Sequence, residues 1–229
     1  MCCVFPIWHE RQAVELFHLL FLRALGARID KTLFVLTGGC YLRFFHHRVR
    51  YSRDMGLDIR TMATAMLRSN VDQVITGHAL RQSLLAQGLL IVDATSPKQT
   101  TTTQHRKVSL RDTDSGICVP ARVEFSQRNL GECVRLEAIT PGIQHAYRIY
   151  PVLVQRYDAE AALRQRINAL AQRKHTQARN VCDIQLLLDG GAGKTPFTPQ
   201  MRAISATEVE RALEIGFRRS RRTGDGVSG

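Results

Sequence analysis

Between Arg11 and Leu25 the apolar residues Val14, Leu16, Phe17, Leu20, Phe21 and Leu25 recur at helical spacing, with Gly26 following as a stop signal. The pattern predicts a buried amphipathic helix. Leu33–Leu36 is a short apolar run that enters the glycine turn Thr37-Gly38-Gly39, and reads as a core strand followed by a short helix over Cys40–Phe45. After a basic loop from His46 to Arg53, the segment Asp54-Met55-Gly56-Leu57-Asp58-Ile59 alternates polar or small with apolar residues. That is the period of two expected of a half-buried strand, with Asp54 and Asp58 on its polar face. Thr61–Gln87 reads as one long helix or two broken at Gly77, and Leu89–Val92 as a strand. Thr100–Leu110 and Val119–Phe125 read as paired strands around the turn Asp112–Gly116, and Cys133–Ile139 and Ala146–Val154 as continuations of the sheet.

Beyond Tyr157 the texture changes, because Ala161–Gln172, Gln177–Leu188 and Ser205–Arg218 all carry helical periodicity. Ser205 with Glu208 three residues later is a capping-box pattern for the last of them. The expectation is a mixed α/β domain over residues 1–156 and a helical part over 157–229 with a frayed, basic and glycine-rich end.

Composition is that of a globular protein: of 229 residues, 44% are hydrophobic and 23% charged, which excludes disorder and fibrous classes. Charge changes the picture more, since 32 Lys and Arg against 20 Asp and Glu leave a net +12. The excess runs through the chain, with 19 basic and 12 acidic residues up to residue 150 and 13 and 8 after it, so it is not a detachable tail. A nucleic-acid partner and a merely well-solvated cationic surface fit this balance equally. The six cysteines show no C-x-x-C pair and no zinc-ligand spacing with the eight histidines, and no signal peptide precedes them. Free thiols in a reducing cytoplasm are the simplest expectation. The apolar run Leu16–Leu25 is interrupted by His18 and Arg23 and falls short of the roughly 20 residues that span a bilayer, so no membrane segment is expected.

Two features carry candidate chemistry. Alternate residues of a strand project to one face, which makes Asp54 and Asp58 candidate cation ligands on one face, and a glycine turn opening a helix presents free backbone amides to phosphate. A Gly-Gly turn, a short helix, a basic loop and a strand with spaced aspartates together make the arrangement of a metal-dependent nucleotidyltransferase. Arg43 and Ser52 suit triphosphate oxygens, while Arg43 could equally cap the short helix or pair with Asp54.

Phe34–Phe45 followed by Arg50–Asp58 resembles the signature of the AbiEii/AbiGii toxin nucleotidyltransferases, roughly GG-x-x-LRFF and then RYS-x-D-x-DLD. Val123-Glu124-Phe125 is similar to the family's strand with a third carboxylate, Leu163–Leu170 to its L-x-x-K-x-x-AL helix, and Ala178–Ile184 to its ARD-x-x-DL motif. The resemblance spans about residues 17–188 in four ordered blocks. It implies a polymerase-β-like nucleotidyltransferase fold with a helical C-terminal part, Mg²⁺ and a nucleoside triphosphate, an RNA acceptor with tRNA foremost, and a toxin with a cognate antitoxin. By that resemblance Asp54 and Glu124 hold metal, Gly38, Gly39, Arg43 and Ser52 bind nucleotide, and Asp54, Arg166 and Asp183 are catalytic.

The chain departs from the family at three of these positions. Gly56 stands where the family has a second metal-binding aspartate, Arg166 replaces a lysine, and Asn180 replaces an aspartate. A planar guanidinium does not replace a compact ammonium donor for donor. Asp58 lies about 6.6 Å farther along the strand than Gly56 and is a poor substitute ligand. The expectation is an enzyme impaired at Gly56, with a catalytically inactive nucleotide- or RNA-binding relic that still engages an antitoxin, and a basic RNA-binding domain without a nucleotide pocket, as alternatives.

Other residues carry plainer readings beside the functional ones. Asp58 reads as a structural strand-end residue, Glu124 as a metal ligand or a surface ion-pair partner, and Asp183 as a substrate contact or the partner of Arg166 or Arg179. Gly190–Thr195 hints at a phosphate loop, but it follows a helix and reads better as a helix-ending glycine turn. His46 and His47 lack a metal-spaced partner and do not read as a zinc site.

Overall fold

The computed structural model describes residues 9–60, 62–97, 99–128, 130, 133–171 and 178–193. Its elements run α1 (Glu10–Arg28), a 3-10 turn (Lys31–Leu33), β1 (Phe34–Thr37), α2 (Gly38–Phe45), β2 (Asp54–Ile59), α3 (Thr64–Thr76) and α4 (His78–Leu85). Then come β3 (Leu89–Thr95), β4 (Thr103–Asp112), β5 (Cys118–Gln127), β6 (Val134–Ala138), α5 (Pro141–Ala146), β7 (Leu153–Tyr157), α6 (Ala159–Ala171) and α7 (Ala178–Asp189). The chain forms two compact units, Met1–Tyr157 and Asp158–Gly229.

In the first unit seven strands make one mixed sheet in the order β3-β4-β5-β2-β1-β7-β6. β2 lies antiparallel to β1 and parallel to β5, which places β2 at the centre. Its alternation is read out directly: Met55, Leu57 and Ile59 are buried, as are Val119, Ala121, Val123 and Phe125 of β5. These residues face α1, whose Phe21 ring meets Phe125 at 6.4 Å. Asp54 and Gly56 of β2, with Arg122 and Glu124 of β5, therefore share the opposite face.

α1 is more deeply buried than an amphipathic helix needs to be, with every residue from Ala13 to Leu22 inside, including Glu15 and His18. Each buried Leu or Phe of this helix contributes about 2 kcal/mol, while the two polar groups require partners. The helix does not stop at Gly26; it runs to Arg28. Gly26 instead leaves room for Lys31, whose Nζ donates to the Gly26 carbonyl at 2.9 Å. The break at Gly77 between α3 and α4 is as the pattern predicts. Ala146–Val154 is not a continuous strand: Pro141 at the first turn of α5, with its φ preset for helix, starts a short helix, and strand returns at Leu153.

In the second unit α6 and α7 bury Leu163, Ile167, Leu170, Ile184 and Leu187. Gly191, at φ 88°, ends α7. The Ala192 amide donates to the Leu187 carbonyl and the Gly191 amide to that of Leu188, the paired bonds of a Schellman cap, so this glycine segment terminates a helix. Lys194 and Thr195, the helix expected at Ser205–Arg218 and the basic end lie outside the described residues.

Candidate active site

The glycine turn is built by two different constraints. Gly38 has φ +76°, a conformation that a side chain makes costly. Gly39 is required for space, since a Cβ there would lie 2.7 Å from both Arg48 Nη1 and Ser52 Oγ. The loop before β2 thus packs directly on the start of α2. The first-turn amides of α2 have no acceptor within the helix and carry its positive dipole end.

Ser52 and Arg43 brace this arrangement. The Ser52 hydroxyl, which has one proton to give, donates it to the Asp54 carbonyl at 2.8 Å. Arg43 Nε donates to Glu15 Oε1 at 2.7 Å, Nη2 to Glu15 Oε2 at 3.2 Å and Nη1 to the Arg48 carbonyl at 3.1 Å. Its guanidinium also lies 4.6 Å from the Tyr51 ring, and Tyr147 donates its hydroxyl to Glu15 at 2.7 Å. The carboxylate of Glu15 raises the Arg43 pKa, and burial foremost, with Glu15, raises that of Tyr147. Arg43 and Ser52, expected on phosphate, have protein partners in this structure: the guanidinium fork matches the Glu15 carboxylate of α1, and the hydroxyl proton goes to backbone.

Beneath the turn, His18 Nε2 donates to the Arg122 carbonyl at 3.2 Å, which leaves Nδ1 as an acceptor 3.5 Å from Cys40 Sγ. The Cys40 thiol also lies 3.6 Å from the Asp54 carbonyl. Full burial pulls the His18 pKa down to about 4, so this imidazole is neutral, and burial pushes the Cys40 thiol up. The backbone at Asp54 is consequently held from two sides.

Across the exposed face, strand register aligns Thr37, Gly56, Glu124 and His105 in one row. Glu124 Oε2 lies 3.8 Å from His105 Nδ1. One step toward the start of β2, Asp54 aligns with Arg122, and their charged groups are 3.9 Å apart. One step the other way, Asp58 is 3% exposed, accepts from the Tyr157 hydroxyl at 2.9 Å and pairs with Arg128 at 3.4 Å. Burial raises its pKa against the opposing pull of Arg128 and Tyr157. Asp58 is a structural residue, turned to partners rather than to the row.

Asp54 and Glu124 therefore stand on one face, about 8 Å apart on the sheet diagonal, with Gly56 supplying no oxygen between them. Among the described residues no group of three or more His, Cys, Asp or Glu is placed to hold a metal ion. Two carboxylates are oxygen donors of the kind a hard divalent cation takes when it keeps several waters, and by themselves they do not make a closed cage. In the C-terminal unit Arg166 Nη1 lies 3.5 Å from Asp183 Oδ2, and Asp183 is buried, so these two expected site residues are partners of one another.

The sequence does not single out His105, Arg48 or Glu15. Glu15 and His105 acquire their places through partners distant in the chain, for which no local signal exists, while Arg48 is placed by its own loop folding back on α2.

The sequence model of the family described as nucleotidyl transferase AbiEii toxin, type IV TA system, matches residues 20–224. Among solved structures, JHP933 from Helicobacter pylori superposes with a TM-score of 0.57 at 17% identity, covering 81% of this chain and 69% of that one. A putative nucleotidyltransferase from H. pylori superposes at 0.56 and 16% identity, covering 81% and 71%. No curated protein matches the chain. Among the described residues no helix is long and apolar enough to cross a membrane.

Proposed function

The chain belongs to the AbiEii family of nucleotidyltransferase toxins of type IV toxin–antitoxin systems, and on that footing we propose that it is built to transfer a nucleotide from a nucleoside triphosphate to RNA, tRNA foremost. Family membership implies an antitoxin partner. The observation that carries the proposal is the Gly38-Gly39 turn packed on Ser52, whose hydroxyl holds the Asp54 backbone. A phosphate cradle and a carboxylate are thereby locked side by side.

In this reading the first-turn amides of α2 take phosphate oxygens of the triphosphate. Ser52 and Arg43 keep that turn and Asp54 in register. Asp54 and Glu124 would hold Mg²⁺, which when bound neutralises charge on the triphosphate. A hydroxyl of the acceptor RNA attacks the α-phosphorus; the new P–O bond forms as the bond to pyrophosphate breaks, and the hydroxyl proton leaves to solvent. The resemblance alone gives Arg166 its part in balancing phosphate charge, with Asp183 fixing its orientation.

Gly56 impairs this chain, because the row between Thr37 and Glu124 lacks the carboxylate that would complete the metal site. Restoring it is sterically close: a Cβ at Gly56 meets Thr37 Cγ2 at 3.1 Å. Thr37→Ser removes that methyl and keeps the hydroxyl. Transfer of labelled nucleotide from each triphosphate to total tRNA with magnesium is the test, run on this chain, on Gly56→Asp and on Thr37→Ser/Gly56→Asp. Labelling by the aspartate forms alone is expected. Equal labelling by the unaltered chain refutes the role of Gly56, and no labelling by any form hands the protein to the alternative of a nucleotide- or RNA-binding relic.

A further inference from the structure

The exposed face of the sheet carries more than the carboxylate row. β4 and β5 continue past the start of β2, and their register places Lys107 opposite Arg122, which in turn aligns with Asp54. Farther along β4, Arg111 lies on the same face as Lys107, about 14 Å away at the usual strand rise. All three cations are exposed. The alternation of β4 requires this, since its other face buries Gln104, Arg106, Val108 and Leu110.

Several other arginines of the first unit are tied to acids. Arg43 pairs with Glu15, Arg106 with Asp72, Arg128 with Asp58 and Arg156 with Glu137. Among the described residues, by contrast, neither Lys107 nor Arg111 has an acidic partner, and Arg122 has only Asp54 at 3.9 Å, with both side chains more than half exposed. Asp93, opposite Ser109, is the one acid on the neighbouring strand at this level. A line of exposed positive charge, flanked by Asp93, thus leads along one strand pair to Asp54.

We propose that this strip on β4 and β5, Arg111, Lys107 and Arg122, binds the phosphate backbone of the single-stranded 3′ end of the acceptor RNA and delivers it to Asp54. The inference rests on the reading of RNA as acceptor and adds where it lies. The strip is one strand pair wide, about 5 Å between Lys107 and Arg122, which fits a single polynucleotide strand tracked by its phosphates. A merely solvated face would scatter such charges, whereas these form a line ending at the carboxylate that the chemistry uses.

The test is binding of a fluorescently labelled single-stranded RNA with a free 3′ hydroxyl, followed by anisotropy across a salt series. The unaltered chain is compared with Lys107→Gln/Arg111→Gln and with Arg11→Gln/Arg81→Gln, an equal charge change at exposed helical positions. Matching melting midpoints establish that each form is folded. Loss of two phosphate contacts makes the dependence of log K on log salt less steep by about 1.4 and weakens binding roughly tenfold at moderate salt. The helix variant should keep the parental slope. An equal loss in both variants, or no loss in either, overturns the strip while leaving RNA transfer intact if tRNA is still labelled. RNA binding that needs the strip, in a chain whose aspartate-restored form labels no RNA, supports the surface and removes the transferase reading. No RNA binding by the unaltered chain overturns both.

Discussion

Glu15 and Arg43 offer the sharpest separation of a brace from a phosphate ligand. The carboxylate is 3% exposed and the guanidinium 20%, and they meet through two bonds of 2.7 and 3.2 Å. Removing one member of such a pair leaves an uncompensated buried charge, which costs about 3–5 kcal/mol. Glu15→Leu strands a guanidinium that retains partial exposure and its bond to the Arg48 carbonyl, so the lower end, about 3 kcal/mol, applies to it. For a chain of this size that is a fall of roughly 10 °C in melting temperature. Arg43→Leu, which leaves the deeper carboxylate with only the Tyr147 hydroxyl, should cost at least as much. The double variant removes both charges together and should recover about 2–3 kcal/mol of the summed loss. Urea denaturation of the four proteins measures that coupling, and equilibrium binding of a nucleoside triphosphate is followed in parallel. Strictly additive losses refute the brace. So does an Arg43→Leu protein of parental stability that no longer binds triphosphate, which would make Arg43 a phosphate ligand.

Acid stability follows from His18. Its pKa falls from 6.5 to about 4 on folding, so the unfolded chain binds the extra proton, and stability falls as pH drops from about 6.5 to 4. The full loss is roughly 3 kcal/mol, complete below pH 4; His18→Gln should flatten that part of the profile in urea titrations between pH 7 and 4. The two glycines of the turn should respond differently. Gly38→Ala pays only for its positive φ, about 1 kcal/mol, with Gly38→Asn milder, because nothing lies within 4 Å of the new atom. Gly39→Ala displaces the Ser52 hydroxyl and Arg48, costs about 1 kcal/mol through the lost bond to Asp54, and should abolish triphosphate binding at unchanged fold by circular dichroism.

The sequence by itself determined the local elements whose signals are carried by neighbouring residues. Alternation over Asp54–Ile59 set β2 to the residue, Gly77 broke the helical run, the glycine turn opened α2, and the glycine segment after α7 closed a helix. The charge excess and the family signature were legible in the same way. Tertiary structure alone decided the sheet order, and with it every relation that depends on partners far apart in sequence. Glu124 stands beside Gly56 because β5 pairs parallel to β2, a register that no local pattern encodes. Asp58 and Asp54 share a strand face and the same chemistry, yet Tyr157, 99 residues away, closes over one and leaves the other exposed. Arg43 is turned to Glu15 by the packing of α2 against a helix 28 residues earlier. Propensity and periodicity act over a few residues, whereas burial and charge pairing are settled only when the chain brings distant groups together and desolvates them.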